Sequence, residues 1–347
     1  MIYIRILLIL LFSPILLLAQ SSSKNFSFSE ISVSPLTTAQ GVNHTASGVT
    51  DVLQTFANPA FSDSTVDNNL HFAYLNYLTD INQTSLAYAK MVDSFGLVSG
   101  YFRYLDYGTF QETDEVGNEL GEFKTSEYEI GVSVSKNYRQ NFYYGGTFKQ
   151  MFSSFYSNSA YGLALDIGGY YLGENGLQLG ISLDDIGFRV IEFNNGQAGL
   201  FRPSINIGAS KKFSKAPIIL GLQYNNIETW DLASSDIDQS DNLIVDQLTG
   251  VSKRRTLTFD NFARHLNLNA IIAPSDKFNL IVGFDFRRRL ELAANQRPAL
   301  VGFSFGIQAK IKKFNLQYGV SSYHLNGAIN HLALSTNLNE WHLKKSK

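Results

Sequence analysis

Between Lys277 and Tyr318 apolar and polar side chains alternate almost without a break. Phe278, Leu280, Val282, Phe284 and Phe286 fall on one side; Asn279, Gly283, Asp285 and Arg287 fall on the other. The next run sets Val301, Phe303, Phe305, Ile307, Ala309 and Ile311 against Gly302, Ser304, Gly306, Gln308, Lys310 and Lys312. After Lys313 the alternation resumes with Phe314, Leu316, Tyr318 and Val320. A period of two belongs to a β-strand, whose successive side chains leave opposite faces. One face is large and aromatic, the other polar and small. A soluble sandwich buries such an apolar face against a second sheet, whereas a transmembrane barrel turns it to lipid.

The same pattern predicts about fourteen strands, near residues 70–78, 83–90, 95–107, 126–138, 142–152, 160–171, 177–185, 204–212, 217–226, 262–273, 277–288, 299–312, 314–322 and 327–337. Their lengths scatter around the ~9–11 residues that a tilted membrane strand needs. The connections sort by length. The predicted periplasmic turns at 91–94, 137–141, 173–176, 213–216, 274–276 and 313 are short, and the predicted outer loops 108–125, 186–203, 227–261 and 289–298 are long. A sandwich has no reason to sort its loops in this way; a barrel with one end toward the periplasm does.

The N-terminus chooses the barrel. Arg5 is followed by an apolar run from Ile6 to Leu18, shorter than the ~20 residues a membrane helix requires. It reads as a secretory signal peptide, residues 1–19, with Leu17-Leu18-Ala19 as the cleavage region. The expected architecture is therefore all-β, a transmembrane antiparallel barrel in the outer membrane. A segment at 20–69 precedes the barrel at 70–337, and a periplasmic tail follows at 338–347.

Composition agrees. Mean hydropathy is −0.07, far below that of a helical membrane protein, because only alternate barrel residues meet lipid. The net charge of −2 gives nucleic acid nothing to bind. The absence of cysteine excludes disulfides, a lipoprotein thiol and thiolate metal sites.

Several segments resemble the PorQ family of outer-membrane barrels from the type IX secretion system of Bacteroidetes. These are the run from Leu75 to Asn82 with Ala87-Tyr88-Ala89, Tyr107-Gly108-Thr109-Phe110, the run from Thr113 to Gly121, and Glu127-Tyr128. Lys215-Ala216-Pro217, Asn226, Trp230-Asp231-Leu232, the run from Leu334 to Leu338, and Trp341 continue the likeness. That family is similar to FadL, whose fourteen-stranded barrels carry an N-terminal plug with an Asn-Pro-Ala triplet; Asn58, Pro59 and Ala60 match it. The resemblance implies that 20–69 is a plug. It also implies a non-enzymatic scaffold of the attachment complex, holding a PorZ-like surface protein beside a PorU-like sortase and a PorV-like barrel. There, cargo is processed and joined to lipopolysaccharide. The alternative is a FadL-like channel for hydrophobic compounds.

No catalytic constellation stands out, and no cofactor is expected. The six histidines lack ligand spacing, although His324 and His331 flank the last outer turn. Asp184 and Asp185 are consecutive, which on a regular strand puts them on opposite faces. Glu127, Glu129, Asp166, Asp184, Asp285, Arg287 and Lys310 fall on the polar face, where they read as a network tying wall to plug rather than a selectivity ring. Two basic clusters, Lys253-Arg254-Arg255 and Arg287-Arg288-Arg289, together with Trp230, are candidate contacts for lipopolysaccharide phosphates or a protein partner.

Overall fold

The computed structural model describes residues 26–61, 64–191, 199–232, 243–245, 252–254, 258–292, 300–324 and 327–341. The predicted signal peptide and Arg255 lie outside these residues.

Fourteen strands close into one antiparallel barrel. They are β1 (Asn69–Asn76), β2 (Asn82–Val92), β3 (Gly96–Thr113), β4 (Glu119–Arg139), β5 (Phe142–Phe155), β6 (Asn158–Leu172), β7 (Leu177–Ile191), β8 (Ser204–Lys212), β9 (Ile218–Tyr224), β12 (Leu266–Ser275), β13 (Phe278–Asp285), β14 (Phe303–Ile311), β15 (Phe314–His324) and β16 (Gly327–Asn337). A separate two-stranded sheet pairs β10 (Leu243–Val245) with β11 (Ser252–Arg254). Each barrel strand pairs with the next along the chain, and β9 pairs with β12. The ring is sealed by β1 and β16, in register from Asn69↔Asn337 to Asn76↔Asn330. Below that seam the two ends of the barrel chain meet: Leu338 N donates to Asn68 O at 2.8 Å, and Asn337 Nδ2 donates to Asp67 O at 2.8 Å.

Alternation sets the facing. On β6, Asp166, Gly168 and Tyr170 turn inward while Leu165 and Ile167 turn outward. The exterior belt is apolar, with Phe72, Val132, Phe148, Ile181, Leu220 and Leu332 all exposed. The inward face is less uniformly polar than the sequence pattern implies. Leu97, Tyr101, Leu105, Ile219, Ile271 and Ile281 also point inward and are buried.

Several predicted boundaries change. Strand β7 runs to Ile191 rather than 185, so the start of the predicted outer loop 186–203 pairs with β6 instead. Strands β3 and β4 run on together, so the predicted outer loop 108–125 is mostly a hairpin with a short turn at 114–118. The predicted strand at 262–273 begins only at Leu266, because Thr258–Arg264 forms helix α2. The predicted strand at 277–288 stops at Asp285, where helix α3 (Phe286–Leu292) starts. The Asp285 carboxylate accepts from Arg288 N at 3.1 Å, a bond that caps a helix start. Arg287 then pairs with Glu291 one turn on, at 3.2 Å. Finally, β14 begins at Phe303 rather than 299, after Gly302 turns the chain with φ +88°.

Residues 26–61 lie within the ring. Helix α1 (Pro35–Gln40) is capped by Ser34, whose hydroxyl accepts from Leu36 N at 3.2 Å. All six of its residues are buried. It packs against β12 to β16. Four apolar clusters fix the segment to the wall: Leu53 and Phe61 with Leu97 and Tyr101, Phe28 with Leu105 and Met151, Leu36 with Ile271 and Ile281, and Ala46 and Ala60 with Tyr170.

The C-terminal stretch, which shows no strand periodicity, has a local structural role. Leu338–Trp341 forms a 3-10 turn. Trp341 meets Phe314 edge-on at 5.5 Å, lies 4.6 Å from the Lys313 ammonium and donates from Nε1 to Thr336 Oγ1 at 2.7 Å.

Candidate functional site

The inner segment fits the wall through opposed glycines. Gly145 and Gly168 face each other across β5 and β6, and the Asn58-Pro59-Ala60 triplet occupies the notch they leave. A Cβ on Gly145 would stand 2.0 Å from Pro59 O, and one on Gly168 would stand 2.1 Å from Asn58 Oδ1. Asn58 holds the turn by accepting from Ala60 N at 2.9 Å, while its amide donates to Thr45 O at 2.9 Å and to Gly169 O at 3.1 Å. This is the work of an Asx turn in a confined space.

The device recurs. Gly180 and Gly208, opposed across β7 and β8, admit Thr45. Gly306 and Gly319, opposed across β14 and β15, admit Ala39 and Pro35. Glycine is needed at each because atoms of the inner segment approach closer than an added Cβ allows.

Polar contacts complete the fit. Arg103 Nη1 donates to Phe28 O and Ile31 O, each at 3.1 Å, and Nη2 pairs with Glu129 at 2.6 Å. Tyr101 Oη donates to the same carboxylate at 2.8 Å. His71 meets Asp51 at 3.0 Å, and Asp51 also accepts from Ser34 Oγ at 2.8 Å. His44 Nε2 lies 2.7 Å from Asn267 Oδ1, and Thr38 Oγ1 lies 2.9 Å from His331 Nδ1. His331 is thus committed to the inner segment.

A second cluster sits on β5, β6 and β7. Lys149 bridges Asp166 at 2.8 Å and Asp185 at 2.7 Å. Asp184 accepts from Ser182 Oγ and Asn206 Nδ2, both at 2.8 Å. The expected opposite facing of Asp184 and Asp185 is corrected here: both carboxylates meet inward partners. Asp185 adopts φ +61°, and the β6–β7 register shifts beside it. That bulge lets two neighbours share a face, and aspartate tolerates the left-handed region better than most residues.

The charged residues expected on the inner face divide. Glu127, Glu129, Asp166 and Asp285 are buried inside the barrel. Arg287 lies on α3 with its side chain 42 % exposed. Lys310 is also exposed and pairs with Glu340 at 3.2 Å. Arg103 and Lys149, the cations that bind the network, were not singled out from sequence; their alternation with inward neighbours was the available signal.

Of the candidate contact residues, Arg288 turns inward. It donates to Gly41 O at 2.9 Å and Ser321 Oγ at 2.6 Å, and its guanidinium covers the Tyr323 ring at 3.9 Å. This corrects its expected outward role, because α3 redirects the side chain that a strand would have presented. Arg289 donates to Val301 O at 3.4 Å. Trp230 is 52 % exposed and stacks beside His265, which in turn stacks on Tyr224. Lys253 and Arg254 belong to β11.

The interior cavity beside Arg103, Glu129, Lys149 and Asp166 measures about 30 Å³, room for about one water molecule. Among the described residues no group of three or more His, Asp and Glu is arranged to hold a metal ion.

No protein-family model matches this chain, and no curated protein matches it. Solved structures do. The toluene transporter TbuX of Ralstonia pickettii aligns with a TM-score of 0.51 at 10 % identity, covering 89 % of this chain and 99 % of its own. The toluene transporter TodX of Pseudomonas putida aligns with a TM-score of 0.52 at 11 % identity, covering 91 % and 97 %. These likenesses give no support to the narrower PorQ resemblance. What they establish is the fold, a closed antiparallel β-barrel.

Proposed function

We propose that this chain is an occluded outer-membrane barrel acting as a non-enzymatic scaffold, with residues 20–69 as its plug. Its working surface is the outer end, where it holds a PorZ-like surface protein for cargo processing and attachment to lipopolysaccharide. The membrane placement rests on the apolar exterior belt, since a charge there costs ~2–4 kcal/mol at mid-bilayer. The observation that carries the scaffold reading is the filled interior. A small-molecule site usually offers ~300–1,000 Å³, and the space left between residues 26–61 and the wall at Arg103, Glu129, Lys149 and Asp166 is about 30 Å³. The named partners come from the sequence resemblance alone.

A second reading has one observation in its favour: TbuX and TodX, which share the fold, are toluene transporters. One set of experiments separates the two. The full-length protein in planar bilayers and liposomes is expected to be silent, with no conductance steps and no accelerated entry of toluene or a fatty acid. Removal of residues 26–61 is expected to open a conducting pore. Affinity isolation from native outer membranes is expected to bring down a surface protein with a sortase-like protease. Facilitated uptake by the intact barrel, without any co-isolated surface protein, would overturn the scaffold in favour of the channel.

A further inference from the structure

Strands β3 and β4 outrun their neighbours. The pairing of β2 with β3 ends at Asn82↔Asp106, and that of β4 with β5 ends at Thr125↔Phe155. Past these points β3 and β4 pair only with each other, from Thr109↔Lys124 to Thr113↔Glu119. Among the described residues no strand pairs with Thr109–Thr113 on the side away from β4. A stretch of about 17 Å of strand edge therefore stands open.

The hairpin is held upright. Gly108 (φ +81°) marks the register shift where it leaves the wall. Phe110 stacks on Phe123 at 5.5 Å, and Phe123 meets the Tyr156 ring at 5.0 Å. Tyr156 Oη then donates to Glu112 at 2.5 Å. At the tip, Asp114 Oδ1 accepts from Val116 N at 3.0 Å and Asn118 N at 2.8 Å. A braced strand loses little freedom when another strand joins it.

Soluble proteins guard such edges with lysine, proline or an inward charge. Thr109-Phe110-Gln111-Glu112-Thr113 has no lysine and no proline. The β4 edge is less open, with Lys124 at its base and Tyr156 beside it. The hairpin also carries Glu112, Asp114, Glu115, Glu119 and Glu122 against Lys124 alone. That balance repels lipid phosphates and a second copy of the same hairpin, and it attracts a basic chain.

We propose that the free edge of β3 at Thr109–Thr113 is a strand-addition site for an extended, basic polypeptide segment of a partner protein. Backbone hydrogen bonds supply the register. The carboxylates select basic side chains, and the Phe110–Phe123 pair offers an apolar face to the alternate residues. The proposal deepens the scaffold reading and rests on it for its biological setting, but the surface can be tested alone.

The test uses the full-length protein in nanodiscs and a fluorescent peptide of alternating lysine and valine. A control peptide has the same charge but carries prolines that forbid strand pairing. The chain lacks cysteine, so Gln111→Cys and Leu120→Cys each give a single quencher site, one per edge. The alternating peptide is expected to bind, to be quenched from position 111 more than from 120, and to weaken about tenfold in Glu119→Gln/Glu122→Gln. The proline peptide is expected not to bind. Equal binding of both peptides would reduce the hairpin to a non-specific acidic surface and overturn the proposal. Absence of binding, or stronger quenching from position 120, would overturn it as well. None of these outcomes touches the co-isolation result, so failure here and failure of the scaffold are distinguishable.

Discussion

Asp184 and Asp185 show where residue-level reading of a strand stops working. Strict alternation assigns them opposite faces, yet one positive φ at Asp185 brings both carboxylates to inward partners. Nothing in the dipeptide announces a bulge, since a register shift depends on what the neighbouring strand does. The cation that makes the arrangement tolerable is Lys149, within 2.8 Å of two carboxylates. Removing one partner from a buried ion pair leaves an uncompensated charge, at a cost of ~3–5 kcal/mol. Lys149→Met is therefore expected to lower the urea midpoint of the barrel in detergent clearly. Lys149→Met/Asp166→Asn/Asp185→Asn, which removes the charges together, is expected to recover most of the loss. Equal midpoints for Lys149→Met and the parent would show that the cluster is not a closed network. Arg103 behaves similarly but also holds Phe28 O and Ile31 O, so its loss would reach the inner segment directly.

At the level of elements, the wall strands were legible because a belt of outward-facing apolar side chains forces period two on the sequence. Their ends were not. Helix α3 begins in the middle of a continuing alternation, since Phe284 and Phe286 are both apolar while Asp285 supplies the cap. The glycines on the polar face were visible, but their purpose required knowing what passes in front of them. Gly168→Ala is expected to displace the Asn58-Pro59-Ala60 turn, since its Cβ would stand 2.1 Å from Asn58 Oδ1. An overpacked site of this kind costs ~1–3 kcal/mol, and the readout is faster proteolysis of residues 26–61 in the folded barrel. Gly100→Ala is the control, with nothing within 4 Å of its added Cβ, and should leave proteolysis unchanged. The β3–β4 hairpin carries a pH signature. The Asn118 side chain, followed by the Asn118 backbone N–H, holds the Asp114 carboxyl below its ordinary range. The turn's contribution is therefore fully present above the unfolded pKa and is lost as pH falls through the lowered folded one. Amide exchange at Asn118 is expected to stay slow from neutral pH down to about 4 and to quicken, beyond its intrinsic pH dependence, only below that. Loosening between pH 5 and 7 would contradict the Asp114 assignment.

For the whole molecule, closure into a ring of fourteen strands was foreshadowed by the strand count and the sorting of turns by length. The filling was less legible. Residues 26–61 have almost no periodicity because a segment packed on every side has no single apolar face to reveal. Its grip is spread over Asp51, Asn58, His44 and four small apolar clusters, each inconspicuous in sequence. The joint between Asn69–Asn76 and Gly327–Asn337, with Asn68 bonded to Leu338 beneath it, makes the shelter of this filling depend on the last strand. The circle is completed by its earliest and latest strands, so it cannot close until the chain is present through β16. Removal of Gly327–Asn337 is expected to leave the edges of β1 and β15 without their partner strand, and residues 26–61 are then expected to be cut faster by protease.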